Sequence, residues 1–557
     1  MTLLSPGLAS TPTSPTRRPD TRRWLAAGAA AAVVIVAVIV VLVVGGGSST
    51  TQPIAPVPLP HPGPGPASMF TPASQLTTAP AATIDTLAAL GVDQVHVYLH
   101  WADIAPDPNS RRRPVFDAAD PAAYPAANWA VFDTVVRDLK ARHIAIDLAL
   151  VPPPPLWAEG KGAPNPGEHP YWRPSTAEWG QFVEAVGLRY SGHYIPPGAT
   201  APLPRVDFWS IWNEPNLGIE LAPQAVPHTR IEVSGTLYRQ IVDAAWRAFA
   251  ATGHGHDTIL IGETAPAGAT FGDAPGLFAV MSPLRFLRAL YCVDAGYAPL
   301  RGLAARQRGC PATAAGSATF AADNPGLFHA SGYANHPYPQ GLAPNEPTPG
   351  QPDFAELAAT GNLERTLDRL QQVYGSHTRF PIWSTEFGYQ TTPPDTESGV
   401  VSPTRAAYYL NWSEYLTWLD PRQRSYDQYL LDDPPDGNFA SGLETATGLP
   451  KPGFYAFRMP LYLPYTATRS GHPLAVWGCV RPAPNAARAT HRTQVVAIEF
   501  QPGGGGAFRT VERVPITDRH GYFDVPVTFP GSGNVRLAWT YPRGPQIFSR
   551  TVVVALR

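Results

Sequence analysis

The sequence predicts an α/β protein with a (β/α)8 TIM barrel and a C-terminal antiparallel β-sandwich, preceded by one N-terminal transmembrane helix. Strand and helix patterns alternate from about residue 82 to residue 431, which favours parallel strands that close a barrel. Short strands separated by turn residues replace this alternation from about residue 470. The predicted divisions are a cytoplasmic tail (1–23), an anchor (24–44), a Pro/Gly-rich linker (45–67), the barrel (68–465) and an immunoglobulin-like sandwich (470–557).

Residues 24–44 form an apolar run of about 21 residues, which as a helix of about 30 Å is long enough to cross a bilayer. Arginines precede it at positions 17, 18, 22 and 23, and they favour a cytoplasmic N-terminus. The competing interpretation is a cleaved secretory signal, whose apolar region is usually only about 7 to 15 residues. With either interpretation the chain after residue 45 lies outside the cytoplasm, on a single-pass membrane protein or on a secreted one.

Composition limits the possible partners. The formal net charge is −2 and only 15% of the residues are charged, without a basic stripe after the N-terminus, which argues against nucleic acid. The chain has 65 prolines, 49 glycines and 14 tryptophans, which is typical of a loop-rich protein with aromatic platforms. Such platforms suit sugars, although a single Trp is more often part of a core.

The barrel elements follow in order. The pattern predicts helices at 82–90, 129–142, 175–190, 238–251, 363–374 and 406–419. It predicts strands at 92–99, 144–151, 206–212, 258–262, 330–335, 380–386 and 426–431, with a weakly marked first strand around Met69 and Phe70. Residues 271–324 are an insertion that we expect to form a lid or a substrate-shaping loop.

Two of these strands end in a single glutamate. The strand 206–212 delivers Asn213 and Glu214 and is stopped by Pro215, which cannot continue a strand ladder. The strand 380–386 ends at Glu386, and a glycine two residues later allows the chain to turn away. Apolar surroundings raise the pKa of a carboxyl group, as a general acid requires. The sequence therefore predicts a pair of carboxylates in one cleft.

The motifs Trp-Asn-Glu-Pro (212–215) and Trp-Ser-Thr-Glu-Phe-Gly (383–388) resemble the acid/base and nucleophile strands of the clan A retaining glycoside hydrolases. The local order is most similar to family 5 and family 39 members, which are cellulase- and xylosidase-like. The resemblance covers roughly residues 68–465. It implies a (β/α)8 barrel in which the two glutamates end strands 4 and 7, and a polysaccharide or oligosaccharide substrate.

The resemblance also implies roles for individual residues. Glu214 would be the acid/base and Glu386 the nucleophile, about 5 to 5.5 Å apart. Asn213 would hydrogen-bond the sugar 2-hydroxyl, and Tyr338 would hydrogen-bond the nucleophile. The remaining predicted substrate-binding residues are His336, which would bind or only orient Tyr338, and His100, Trp101, Trp157 and Gln428.

Two positions depart from the clan pattern. The clan usually has Arg near the end of strand 2, where this chain has His96, and a neutral imidazole would hold the nucleophile ionised less well. The clan usually has Trp at the end of strand 8, where this chain has Gln428 and Tyr429, which leaves the floor of the −1 subsite undefined. Glu263 ends another strand and is a possible rival carboxylate.

Three cysteines remain. Cys292 and Cys310 lie in the insertion, and in an oxidising compartment we expect them to form a disulfide, with Cys479 left as a small buried residue. No cysteine or histidine cluster has zinc spacing, so neither a metal nor another cofactor is expected.

Three functions are consistent with the sequence. The first is hydrolysis of an extracellular or cell-envelope carbohydrate by double displacement, and the second is binding of carbohydrate by an inactive barrel. The third is cell-wall transglycosylation with the same two glutamates. The C-terminal module would either brace the barrel or bind carbohydrate through an exposed aromatic cluster of Tyr522, Phe523, Trp539 and Tyr541.

Overall fold

The structure, a computed structural model, describes residues 65–270 and 276–557. An eight-stranded parallel sheet forms the first part of the chain. Its strands are β1 (Ala67–Thr71), β2 (Gln94–His100), β3 (Ala145–Val151), β4 (Phe208–Ile211), β5 (Thr258–Thr264), β6 (Gly332–Asn335), β7 (Ile382–Ser384) and β8 (Ser425–Tyr429). From β1 to β7 each strand pairs with the next, and β1 also pairs with β8.

Main-chain hydrogen bonds close the sheet into a barrel. The Ile382 N–H donates to the Arg422 carbonyl at 2.9 Å, and the Arg424 N–H donates to the Ile382 carbonyl at 2.8 Å, which joins β7 to β8. The predicted (β/α)8 barrel is therefore confirmed, including the weakly marked first strand. Because all eight strands run in parallel, their carboxyl ends open onto one face of the barrel.

Helices cover the outside of the barrel. The main ones are α2 (Pro80–Leu90), α4 (Ala126–Ala141), α5 (Thr176–Arg189), α6 (Ser234–Ala251), α7 (Pro283–Leu290), α12 (Thr360–Val373), α13 (Pro403–Leu419) and α14 (Pro452–Arg458). The shorter ones are α1 (Gln75–Thr78), α3 (Trp101–Ile104), α8 (Gly302–Gln307), α9 (Ala314–Ala318), α10 (Phe320–Asp323) and α11 (Pro325–His329), with 3-10 turns at Pro121–Ala123, Leu156–Ala158 and Leu357–Ala359. The ends follow the sequence signals: α2 has Pro80 in its first turn and is closed by Gly91.

The insertion between β5 and β6 belongs to this helical layer. Every residue of α7 is buried, and Arg288 from that helix forms an ion pair with Asp353 at 2.6 Å. Cys292 and Cys310 are joined by a disulfide. The helix α7 is therefore part of the barrel wall, whereas the lid or substrate-shaping role expected for the rest of the insertion stays a prediction. Residues 271–275 lie outside the described part.

The C-terminal part contains two further sheets. One has the order β10 (Ala467–Thr468), β17 (Val552–Leu556), β15 (Gly533–Thr540), β12 (Gln494–Pro502), β13 (Arg509–Ile516), with β16 (Gln546–Phe548) also paired to β15. The other has the order β14 (Tyr522–Val527), β11 (Leu474–Cys479), β9 (Leu461–Tyr462). The predicted antiparallel module is confirmed, although β10 and β17 run parallel, and the helix α15 (Ala483–Thr490) was not predicted.

The aromatic cluster of this module is not exposed. Tyr522, Phe523 and Trp539 retain at most 8% of their surface, and the Tyr541 hydroxyl donates to the Ala89 carbonyl of the barrel at 2.8 Å. The expectation of an exposed sugar platform is therefore wrong for these rings, because they form the sandwich core and its contact with the barrel.

Buried polar groups join the two parts. The Arg481 guanidinium donates to both oxygens of Glu414 on α13 at 2.8 Å, and the Tyr522 hydroxyl donates to the same carboxylate at 2.7 Å. Gly91, with φ +82°, lies directly against the Arg481 main chain, and a Cβ there would be 2.5 Å from its carbonyl atoms. The module thus braces the barrel.

The predicted anchor falls outside the described residues, as do the predicted tail and most of the linker. Across residues 65–270 and 276–557, the structure contains no helix that is both long and apolar enough to span a bilayer.

Candidate active site

Glu214 and Glu386 lie at the carboxyl ends of β4 and β7. Pro215 follows Glu214, which has a left-handed φ of +37°, and the Glu214 N–H donates to the Glu263 carbonyl at 2.8 Å. An oxygen of Glu214 and an oxygen of Glu386 lie within 4.8 Å of each other. The structure thus brings the two predicted glutamates together at the open face of the barrel.

Two phenols donate to Glu386. The Tyr338 hydroxyl donates to Oε2 at 2.8 Å, and the Tyr98 hydroxyl donates to Oε1. Tyr98 was missed at the level of sequence, although strand alternation places it on the same face of β2 as His96 and His100. Two phenol donors stabilise the ionised form of a carboxyl group.

The pKa of Glu386 reflects opposing contributions. Burial and the nearby Glu214 raise the pKa of Glu386 above its ordinary value, whereas His336 and the two phenol hydrogen bonds act to lower it. Specific donors thus favour the ionised form in an otherwise unfavourable environment. A carboxylate that is desolvated yet ionised is a stronger nucleophile than one in water.

His336, directly after β6, lies between three carboxylates. Its Nδ1 is 3.0 Å from Glu214 Oε1 and 3.5 Å from Glu386 Oε1, and its Nε2 is 3.0 Å from Glu263 Oε2. Although burial alone would lower it, these carboxylates raise the pKa of His336 well above its ordinary value. Both ring nitrogens thus face carboxylates, which favours the protonated imidazole between the pair.

Asn213 lies beside Glu214 with half-buried side-chain surface. Its Oδ1 is buried and has no hydrogen-bond partner within the described residues. A buried amide oxygen without a partner is costly, so it is suited to accept from a hydroxyl of a bound ligand.

A second histidine lies deeper in the barrel. His96 Nδ1 is 2.8 Å from Asp147 Oδ2, and both side chains are fully buried. Although burial lowers it, Asp147 raises the pKa of His96 to about 9. The adjacent carboxylate thus favours the charged imidazole over the neutral one considered from the sequence.

Two predicted cleft residues belong to the core instead. Trp101 is fully buried and stacks on Phe182 of α5 with ring centroids 5.6 Å apart. Trp157 packs edge-on against Trp101 and donates its indole N–H to the Pro106 carbonyl at 3.0 Å. Neither ring presents a face to a sugar. His100 remains half-buried near the open face, with Nδ1 in contact with the Pro152 carbonyl.

Gln428 is also structural. It is fully buried, and its Nε2 donates to the Tyr429 carbonyl at 2.7 Å and to the Ser441 carbonyl at 2.9 Å, so its side chain holds main chain next to the site, and its contact with substrate stays a prediction. Tyr429 instead forms an aromatic box with Tyr338 and Phe439, in which the three rings are mutually near-perpendicular with centroids 5.3–6.2 Å apart. Phe439, in the loop after β8, was not singled out in the sequence.

Two groups have the donor types and spacing for a metal ion, namely His96, Asp147 and Glu263, and Glu214, His336 and Glu386. In both groups the histidine nitrogens that approach carboxylates already hydrogen-bond them. These side chains are thus hydrogen-bonded to one another, an arrangement that suits control of the proton positions and of the charge of the carboxyl groups.

No family model and no curated protein matches this sequence. Among solved structures, a family 39 glycoside hydrolase from Bacteroides cellulosilyticus WH2 is similar, with 14% identity and a TM-score of 0.44 over 83% of this chain and 79% of that one. A β-glucosidase from Thermotoga maritima has 16% identity and a TM-score of 0.43 over 69% and 86%. GH5_18 from Streptomyces cattleya, in complex with GlcNAc, has 14% identity and a TM-score of 0.39 over 71% and 79%. At such identities and TM-scores the reaction has to be inferred from the residues of the site.

Proposed function

We propose that this protein is a retaining glycoside hydrolase that acts on an extracellular or cell-envelope carbohydrate. The observation that carries the proposal is the carboxylate pair at the ends of β4 and β7, with oxygens of Glu214 and Glu386 within 4.8 Å. Retaining enzymes place the two carboxyl groups about 5 to 5.5 Å apart, whereas inverting enzymes need about 6.5 to 9.5 Å for a water molecule. The short separation favours double displacement.

The surroundings of the two carboxylates support different roles for them. Glu386 accepts from two phenols and contacts the His336 cation, so it suits the nucleophile, which must be ionised. Glu214 has no phenol donor within the described residues, and its side chain keeps 13% of its surface, so it can reach a leaving group and exchange protons.

The reaction then has two steps. Glu214 donates its proton to the glycosidic oxygen while Glu386 attacks the anomeric carbon, which breaks the glycosidic bond and forms a glycosyl ester. Glu214, now a carboxylate, removes a proton from water as that water attacks the anomeric carbon and displaces Glu386. Asn213 Oδ1 is suited to accept a hydrogen bond from a hydroxyl of the bound sugar.

Location is part of the same proposal. The apolar run at 24–44 supports a single-pass membrane anchor with the barrel outside the cytoplasm, or secretion if it is cleaved. The disulfide between Cys292 and Cys310 is consistent with an oxidising compartment.

The test is release of sugar by the full chain, in detergent, from a panel of envelope and plant polysaccharides. The wild type should release product with the anomeric configuration of the substrate, and Glu386→Gln should lose at least about a thousandfold of that rate. With azide, Glu214→Ala should give a glycosyl azide of retained configuration and Glu386→Ala one of inverted configuration.

Two other outcomes of this test would favour a different function. Transfer to an added sugar acceptor in preference to water would make the protein a transglycosylase. Glycan binding without release in the wild type, unchanged in Glu386→Gln, would make the inactive scaffold the better description.

A further inference from the structure

Glu263 is a third carboxylate in the site, and the proposed reaction assigns it no step. It lies near the end of β5, is fully buried, and has a left-handed φ of +49° at a point where the register of β5 against β6 shifts. Only a few per cent of residues other than glycine adopt such a conformation. The bulge turns both the carbonyl and the carboxylate of Glu263 toward the catalytic pair.

The main chain of Glu263 holds the main chain of Glu214. The Glu214 N–H donates to the Glu263 carbonyl at 2.8 Å, just where the chain leaves β4. Because Glu214 itself has φ +37°, this bond fixes a residue whose backbone would not hold that conformation unaided.

The side chain of Glu263 holds His336. Its Oε2 is 3.0 Å from His336 Nε2 and also accepts from the Thr385 hydroxyl, the residue that precedes the second glutamate. An imidazole ring is rigid, so fixing Nε2 also fixes Nδ1, which lies 3.0 Å from Glu214 Oε1 and 3.5 Å from Glu386 Oε1.

We propose that Glu263 is a positioning residue for the acid/base, holding Glu214 through its carbonyl and keeping His336 in place as an imidazolium through its carboxylate. This inference rests on the proposed function of Glu214 and Glu386. Glu263 itself touches neither the substrate nor the reacting atoms.

The charged groups around His336 and Glu263 support this positioning role. Three carboxylates face His336, from Glu214 on the β4 end, Glu263 on β5 and Glu386 on the β7 end. The groups that act on Glu263 include His336, His96, Asp147, Ser210, Tyr238, Tyr333 and Thr385. Although burial acts to raise it, the two histidines hold the pKa of Glu263 below its ordinary value. Asp427 on β8 lies near both His96 and Glu386, and burial raises its pKa well above the ordinary range.

A fixed imidazolium would match how charge moves in the first step. Before attack the negative charge is on Glu386 and the proton is on Glu214. After attack Glu386 is a neutral ester, and Glu214 has given its proton to the leaving oxygen and is negative. Nδ1–H lies near both groups, so the cation stays beside one carboxylate charge throughout, and no solvent has to reorganise to follow it.

The first test follows the ring of His336 by NMR in the full chain labelled with ¹⁵N-histidine, with the signal assigned by its loss in His336→Asn. In the wild type both ring nitrogens should be protonated at pH 8, where an ordinary histidine is neutral. In Glu263→Gln the pKa of His336 should fall by about one unit or more. A wild-type His336 that titrates near its ordinary pKa would overturn the proposal, even if the variant does not fold.

The second test is the pH profile of kcat/KM. In Glu263→Gln, His336 becomes neutral above its lowered pKa, and a carboxyl group that loses a neighbouring cation keeps its proton to higher pH, so the basic limb should move about one unit to higher pH. Glu414→Gln is the matched control, because it also neutralises a buried glutamate paired with a cation, Arg481, but at the contact between the two domains. It should reduce stability without moving the profile or the His336 signal.

The outcomes separate this inference from the proposed function. Because the NMR signal needs no substrate, it decides the state of His336 even if no polysaccharide is cleaved. Activity with an unmoved basic limb and an unchanged His336 pKa in Glu263→Gln would leave the glycosidase intact and reject the role of Glu263.

Discussion

Removing the Tyr98 hydroxyl should shift the acid limb of activity to higher pH. Tyr98 donates to Glu386 Oε1, and a hydrogen bond to a charged group contributes about 1.5 to 3 kcal/mol. That donor favours the ionised carboxylate, so its loss in Tyr98→Phe should raise the pKa of Glu386 by about 1 to 2 units. The pKa of Glu386 is already above its ordinary value through burial, and the active ionised form is lost as pH falls through it. The loss should therefore begin at a higher pH in the variant.

The assay is kcat/KM between pH 4 and 9 on the best substrate of the panel. At pH values below the acid limb, kcat/KM of Tyr98→Phe should be about 10- to 100-fold lower than that of the wild type. At pH values above the limb the difference in kcat/KM should be smaller. Tyr338→Phe is the matched comparison, because its hydroxyl donates to the other oxygen, Oε2, at 2.8 Å, and it should shift the limb in the same direction. An acid limb that stays in place or moves to lower pH in Tyr98→Phe would refute this assignment of the nucleophile.

Three further predictions concern other parts of the molecule. Arg481→Met should lower the free energy of unfolding by about 3 to 5 kcal/mol in a denaturant titration, because Glu414 is left buried without its cation, and a loss under 1 kcal/mol would contradict this. Phe439→Ala should lower kcat/KM by about tenfold, mainly through KM, because it removes one wall of the aromatic box, and unchanged kinetics would place that ring outside the subsite. Replacing both Cys292 and Cys310 by Ser should cost about 3 kcal/mol, as expected for a loop with a sequence separation of 18, and a thermal melt equal to that of the wild type would argue against it.

Most of the barrel was predictable because local residues mark where its helices and strands begin and end. Prolines and glycines mark the ends of helices such as Pro80–Leu90, and apolar runs mark the strands. The short strand β11 (Leu474–Cys479) is such an apolar run: it is buried along its whole length and pairs with strands on both sides, so its pattern does not alternate.

The two glutamates were placed correctly at their strand ends, but their supporting groups were not. From the sequence, alternation along β2 gives only the face of the strand on which Tyr98 lies. It does not give which side chain on another strand of the barrel the Tyr98 hydroxyl contacts. Glu263 was considered a rival carboxylate, yet its importance depends on a bulge that brings it under His336. Such contacts join residues on different strands, which no local pattern records.

Aromatic residues after strand ends were the least predictable part of the site. Trp101 and Trp157 follow β2 and β3 as a cleft residue would, but a short helix and a 3-10 turn direct them into the space beside α5. A large ring at a strand end can pack either in the cleft or beside the helices. Which of the two occurs depends on how helices from other parts of the chain pack.

The position of Gly91 has a consequence for how this protein could be recombined. A methyl group there would collide with the carbonyl of Arg481, so the second domain comes closer to the barrel than any side chain would allow. Grafting this sandwich onto another barrel would therefore require a glycine after the first long helix of the recipient. This turn lies on the face of the barrel opposite the catalytic residues. The residue at the turn thus decides which barrels can pack against the C-terminal sandwich.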